Sequence, residues 1–101
     1  MSESDIPLPP PTFEFLVFSL KMQAEMRLGL LGLGEEGEEK PNLPAARHAI
    51  DLLAMIAEKT RGNLSLEEQR MIENSLTELR FRFVSVSEKS AKAPAGSETA
   101  P

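Results

Sequence analysis

The sequence predicts an all-α protein: a three-helix arrangement with a tight helical hairpin, flanked by disordered N- and C-terminal tails. Apolar residues recur every three or four positions in three separate segments, which is the helical period. Each segment follows a Thr, Asn or Ser that suits a helix N-cap. Both ends are rich in Pro, Ser and charged residues, which bury too little apolar surface to offset their ordering entropy.

These observations divide the 101 residues into three parts. Residues 1–11 form a disordered Pro-rich arm, and residues 87–101 form a disordered tail. Residues 12–86 form a helical domain, with helices at about 12–31, 43–61 and 65–84. Because a core of this size supplies only about 3–5 kcal/mol, we expect the domain to gain burial elsewhere, and self-association is the remaining common means in a chain without Cys.

The first predicted helix follows Thr12 and carries two apolar sets, which indicates burial on two sides. The first set is Phe13, Leu16, Val17, Leu20, Ala24, Leu28 and Leu31. The second set is Phe15, Phe18, Met22, Met26, Leu30 and Leu33. Gly29, Gly32 and Gly34 weaken this helix, and the acidic stretch up to Pro41 predicts a solvated loop whose path the sequence leaves open.

The second helix is predicted to begin after the cap residue Asn42, with Pro44 in its first turn and Gly62 closing its end. Its predicted core set is Ala46, Ala49, Ile50, Leu53, Ile56 and Ala57. Ser65 and Glu68 fit a reciprocal capping box directly after that stop, so the second and third helices form a tight hairpin.

The third helix is predicted to bury one face and to pair Glu78 with Arg82 four residues later. Its core set is Ile72, Ser75, Leu76, Leu79 and Phe83. Residues 80–86 are ambiguous, because Arg80 to Phe83 alternates like a strand and Val84 and Val86 favour extended backbone. We place the end of the helix near residue 84.

Composition excludes several classes of function. The chain has no Cys, one His and a formal net charge of -5, which lies in the arm and the acidic loop. The charges of the three predicted helices sum to zero, so we expect no nucleic-acid partner, and no apolar run is long enough for membrane insertion. We predict a cytoplasmic protein that is not an enzyme and has no catalytic, cofactor-binding or metal site.

The candidate chemical groups each have a plainer interpretation. His48 and Asp51 share a helix face but lack further metal ligands. The acidic stretch Glu35, Glu36, Glu38 and Glu39 lacks the interleaved residues of a calcium loop. Gly29-Leu30-Leu31-Gly32 has the spacing of an RNA-binding clamp, yet its central residues are apolar and no basic groove accompanies it.

The five aromatic residues are all Phe, three at the start of the first helix and two at the end of the third. In an up-down-up bundle these ends lie apart. A dimer of antiparallel chains brings them together, so we predict an apolar interaction surface formed by residues of the first and third helices. Its residues are Phe15, Phe18, Met22, Met26, Phe81 and Phe83.

Several short segments resemble a bacterial family known as domain of unknown function 1844. They are Phe15-Leu16, Ser19-Leu20, Ile50-Asp51-Leu52-Leu53, Glu58-Lys59-Thr60, Gly62-Asn63-Leu64 and Leu79-Arg80-Phe81. The resemblance covers roughly residues 13–86. It implies a compact helical domain in the cytoplasm and brings no catalytic residue, cofactor or substrate.

The predicted function is that of a non-catalytic protein-interaction or self-association module. The favoured partner is a second copy of the chain, with a dimer preferred, and another protein is the other choice. The alternative is a helical protein that binds a small molecule or lipid in an apolar pocket lined by Met22, Met26 and Met55.

Overall fold

The computed structural model describes residues 7–30 and 40–91 and consists there of three α-helices without a strand. The helices are α1 (Phe13–Arg27), α2 (Leu43–Lys59) and α3 (Leu66–Ala91). Each helix packs against both others. The predicted all-α, three-helix class is therefore confirmed, and the loop predicted at residues 31–39 lies outside the described residues.

The predicted helix starts agree with the observed caps. The Phe15 amide donates to Thr12 Oγ1 at 3.0 Å, and the Ala45 amide donates to Asn42 Oδ1 at 3.1 Å. At the start of α3 the Ser65 amide donates to Glu68 Oε1 at 2.8 Å, while the Glu68 amide donates to Ser65 Oγ at 3.1 Å. These bonds satisfy amides that have no partner within the first helical turn.

The hairpin between α2 and α3 turns at Gly62, which has a φ of +88°. A side chain is strained at this φ, so Gly ends α2 at little cost. The Asn63 amide donates to the Thr60 carbonyl at 2.9 Å, and this bond closes the turn.

The end of α1 differs from the predicted boundary near residue 31. The helix ends at Arg27, with Leu28 as its C-cap, and Gly29 takes a positive φ of +77°. The Gly29 amide donates to the Met26 carbonyl at 3.0 Å, so the chain turns off the helical path there. Apolar residues continue at helical spacing past Gly29 in the sequence, so this spacing predicted a longer helix than the structure contains.

The end of α3 also differs, in the opposite direction. The helix runs to Ala91, beyond the predicted end near residue 84 and into the stretch predicted as the disordered tail. Residues 80–86 are helical, because Leu79, Phe83 and Val86 lie one turn apart and share the inner face of α3. This shared burial outweighs the strand preference of Val84 and Val86.

The helices run up, down and up around one core. The Asn42 amide donates to the Arg27 carbonyl at 2.7 Å, which sets the start of α2 beside the end of α1. Lys21 on α1 contacts Glu78 on α3, and residues 28–30 line one depression with Val86, Lys89 and Ser90, so α1 and α3 run parallel. The buried apolar core consists of Val17, Ala24, Leu28, Ala46, Ala49, Ile50, Leu53, Ile72, Leu76 and Leu79.

Candidate interaction surface

The second apolar set of α1 lies on its solvent side. We call Phe15, Phe18, Met22 and Met26 the outer stripe; their spacings of three, four and four residues place them along one face. Phe15, Phe18 and Met26 are 41%, 47% and 45% exposed, and Met22 is half-buried. The helix was predicted to be buried on two sides, and within one chain it is buried on one.

The outer stripe faces away from the core residues of the same helix. Val17, Ala24 and Leu28 fill the core and are at most 1% exposed. At about 3.6 residues per turn, the outer stripe lies roughly opposite these residues. The rings of Phe15 and Phe18 stand 6.5 Å apart between centroids, so they form one continuous aromatic patch. No charged residue lies within this row of four.

α3 adds an exposed Phe beside Leu30, which follows the end of α1. Phe81 is 71% exposed and lies one turn after Glu78, which contacts α1. Leu30, Phe81 and Val86 line one depression of about 330 Å³. The other residues that line it are polar or charged: Glu78, Arg82, Ser85 and Lys89. Phe83 was also predicted to lie on the interaction surface. In the structure it is half-buried and packs against the core.

A polar cluster links α1 to α3 beside the outer stripe. Lys21 Nζ donates to Glu78 Oε1 at 2.9 Å, and Arg82 donates to Glu78 Oε2 through Nε at 3.0 Å and Nη2 at 2.8 Å. Hydrogen bonds from Lys21 and then from Arg82 lower the pKa of Glu78 below its ordinary value. The predicted Glu78–Arg82 pair is present, whereas Lys21 lies 57 residues away in sequence and no local pattern points to it.

The candidate chemical groups do not form a site in the described residues. His48 and Asp51 are exposed, and Asp51 lies 3.6 Å from the Arg47 guanidinium. Among residues 7–30 and 40–91, no group of three or more His, Asp or Glu is placed to hold a metal ion. The acidic stretch Glu35 to Glu39 and the residues Gly32 and Gly34 lie outside the described residues.

The three Met residues of the predicted apolar pocket lie on two helices, α1 and α2. Met22 and Met26 belong to the outer stripe of α1. Met55 is 44% exposed on α2, on the side opposite Leu53 and its core neighbours. The space between the helices is filled by side chains such as Leu53 and Leu79, both at 0% exposure. The structure therefore gives this pocket no support.

Comparison with known proteins gives one match. The sequence profile of a family described as "Domain of unknown function (DUF1844)" matches residues 10–85. No curated protein and no solved structure matches the chain. Within the part of the chain that the structure describes, no helix is both long and apolar enough to cross a bilayer.

Proposed function

The chain belongs to the DUF1844 family, and from that premise we propose that it is a non-catalytic self-association module whose outer stripe binds a second copy of the chain. The observation that carries this proposal is an uncharged apolar row on α1, roughly opposite the row that fills the core. A helix with apolar residues on both sides is typical of burial between two layers of structure.

The exposed apolar area is large enough for a stable dimer. With about 200 Å² for a fully exposed Phe, the exposed parts of Phe15, Phe18 and Phe81 amount to roughly 300 Å². Met26 and Leu30 add roughly 150 Å², so two copies together would bury about 900 Å² of apolar surface. A standard interface of about 1,600 Å² contains a similar apolar area, because it is about 60% apolar.

A second copy is the occupant that fits this surface best. A two-fold dimer brings the same patch of both chains together, so that patch must complement itself. An uncharged row meets its own copy without repulsion between like charges. Burial of this row also adds to a domain whose own core is small. A charged partner would find no residue of opposite charge among the four residues of the outer stripe.

The non-catalytic part of the proposal rests on the inventory of side chains. The only His of the chain is exposed, and the Cys that would serve as a nucleophile is missing from the sequence. Arg47 and Arg82 each pair with a carboxylate on their own helix, and Arg61 in the turn after α2 pairs with Glu58, which leaves these residues poorly suited to phosphate backbones. The cytoplasmic location stays a sequence-based prediction.

Met26→Asp and Met55→Asp together test the proposed surface. The two residues have nearly equal exposure, 45% and 44%, and each lies within the last five residues of its helix. Their substitution by Asp therefore has similar effects on the separate helices. Only Met26 belongs to the outer stripe, so Met26→Asp introduces a charge that a dimer would bury.

Sedimentation velocity on the wild-type chain and both variants gives the outcome. We expect a dimer for the wild type and for Met55→Asp, and a folded monomer for Met26→Asp, with circular dichroism reporting the helix content of each. A wild-type monomer, or a Met26→Asp dimer as stable as that of Met55→Asp, contradicts the proposal.

A further inference from the structure

We infer that the chain has a second interaction site, a depression between α2 and α3 that binds an acidic segment of another protein. In this site an apolar side chain of that segment contacts Val84, and a neighbouring carboxylate binds Arg80 and Arg47. None of these residues belongs to the outer stripe, so the inference goes beyond the proposed self-association and does not rest on it.

The depression lies where the first half of α2 passes the second half of α3, and it has a volume of about 280 Å³. Three apolar and three charged residues line it: Ile50, Phe83, Val84, Arg47, Asp51 and Arg80. A ligand that combines a hydrocarbon group with a charge therefore finds both kinds of contact within one small site.

The apolar residues of the depression give it a fixed base with one exposed side chain. Ile50 is 3% exposed, and Phe83 is half-buried and packs against the core. Val84 is 53% exposed. An apolar side chain of a ligand that covers Val84 removes this surface from water, which favours binding.

Arg80 is the arginine of this depression that the fold leaves available to a ligand. It is exposed, and the residues one turn away from it on α3 are all uncharged: Leu76, Thr77, Phe83 and Val84. Within residues 7–30 and 40–91, no carboxylate forms an ion pair with Arg80. A carboxylate that arrives from outside the chain therefore replaces only water.

Arg47 supplies a second guanidinium group from α2, and its contact within the chain is weak. Arg47 Nε lies 3.6 Å from Asp51 Oδ2, which is longer than a hydrogen bond, and the Arg47 side chain is 67% exposed. A guanidinium group has five N–H donors, and this contact occupies few of them. The other donors of Arg47 remain for a ligand.

The charges of the depression match a single carboxylate better than a phosphate. Two guanidinium groups and the Asp51 carboxylate give the lining a net charge of +1, which one Asp or Glu of a ligand neutralises. A phosphorylated side chain carries about −1.5 to −2 at neutral pH, so beside Asp51 it leaves an excess of negative charge. Arg also binds carboxylates through two parallel hydrogen bonds, and clusters of Arg recognise acidic motifs in this way.

Fluorescence anisotropy with a labelled peptide, Gly-Ser-Leu-Glu-Glu-Leu-Ser-Gly, tests the site on the full chain. This peptide should bind, and two altered peptides should bind more weakly: one with Gln in place of both Glu, and one with Ser in place of both Leu. Amide chemical shifts in the NMR spectrum of the wild-type chain should change mainly at residues 47–51 and 80–84 when the first peptide is added.

Arg80→Gln and Arg70→Gln form the matched pair of variants. Both remove one exposed Arg from α3, but Arg70 lies outside the depression. Arg80→Gln should raise the Kd of the peptide roughly tenfold to a hundredfold, because a charge-assisted hydrogen bond is lost. Arg70→Gln should leave the Kd nearly unchanged, and circular dichroism should show the same helix content for both variants.

Three outcomes would overturn the inference. The first is no change in anisotropy at up to about 1 mM protein, where even a weak complex forms. The second is an equal Kd for Arg80→Gln and Arg70→Gln. The third is tighter binding of a peptide with phosphoserine in place of both Glu, which would assign the depression to a phosphorylated ligand. Because the peptide assay does not measure self-association, none of these results decides whether the outer stripe binds a second copy.

Discussion

Phe18→Ala should weaken the dimer far more than it weakens the fold. Phe18 is 47% exposed in a single chain, so about 90 Å² of its surface remains to be buried by a second copy. The dimer contains this residue twice. At about 25 cal/mol per Å², the loss approaches 4.5 kcal/mol, and we expect about 3–4 kcal/mol because Ala covers part of the area. This corresponds to a rise in Kd of two to three orders of magnitude.

Leu16→Ala is the matched control for this change. Leu16 is 43% exposed on the same helix, so its truncation removes a comparable amount of packing within the chain. It lies one turn from Phe13 and Leu20, which pack against the core, and it is therefore outside the outer stripe. A dilution series followed by sedimentation equilibrium gives Kd for both variants. Equal values of Kd for Phe18→Ala and Leu16→Ala would refute the argument.

Three further predictions concern the fold that presents the outer stripe. Gly62→Ala should destabilise the chain by about 1–2 kcal/mol, measured by urea unfolding, because its φ of +88° strains any side chain although the space around it is open. Leu53→Ala should cost about 2–5 kcal/mol by the same measurement, since the side chain is completely buried, and a loss below 1 kcal/mol would mean that the core is packed differently. The pKa of Glu78 is lowered from its ordinary value of 4.5, so the ionised carboxylate stabilises the fold at pH values above 4.5. This contribution should be lost as the pH falls through the folded-state pKa. Urea unfolding between pH 3 and 7 should therefore show that acid lowers the free energy of unfolding less for Glu78→Gln than for Glu73→Gln. The second variant changes an exposed carboxylate of the same helix.

The helix starts could be predicted from the sequence because their determinants are local. Thr12, Asn42 and Ser65 each bond an amide three residues later, and that bond needs nothing from the rest of the fold. Gly62 is equally local, because the turn requires a positive φ there. Most of the buried residues in α2 and α3 followed from the helical period, but the predicted core members Ile56, Ala57 and Phe83 are only half-buried against the core.

The helix ends could not be predicted as well, since they depend on competition between local and tertiary effects. The apolar period runs through Gly29, and only the positive φ at that residue shows where α1 stops. In α3 the alternation from Arg80 to Phe83 resembles a strand, but the packing of Phe83 against residues from other segments keeps it helical.

The candidate surface was accessible to sequence reasoning only in part. The period of α1 identifies two apolar sets, but it does not tell which set faces the other helices. The structure resolves this by burying Val17 and Ala24 and exposing Phe15 and Phe18, and it moves Leu16 out of the buried set. The exposed position of Phe81 beside Leu30 depends on how α1 and α3 pack, so no spacing along the chain contains it.

The mass of the wild-type chain in solution, compared with that of Met26→Asp, tests the central claim most directly. One chain has a mass of 11.1 kDa. Light scattering at micromolar concentrations should give twice that mass for the wild type and the single-chain mass for Met26→Asp, with equal helix content. A wild-type chain that keeps the single-chain mass across the whole concentration range would contradict the claim that the outer stripe binds a second copy.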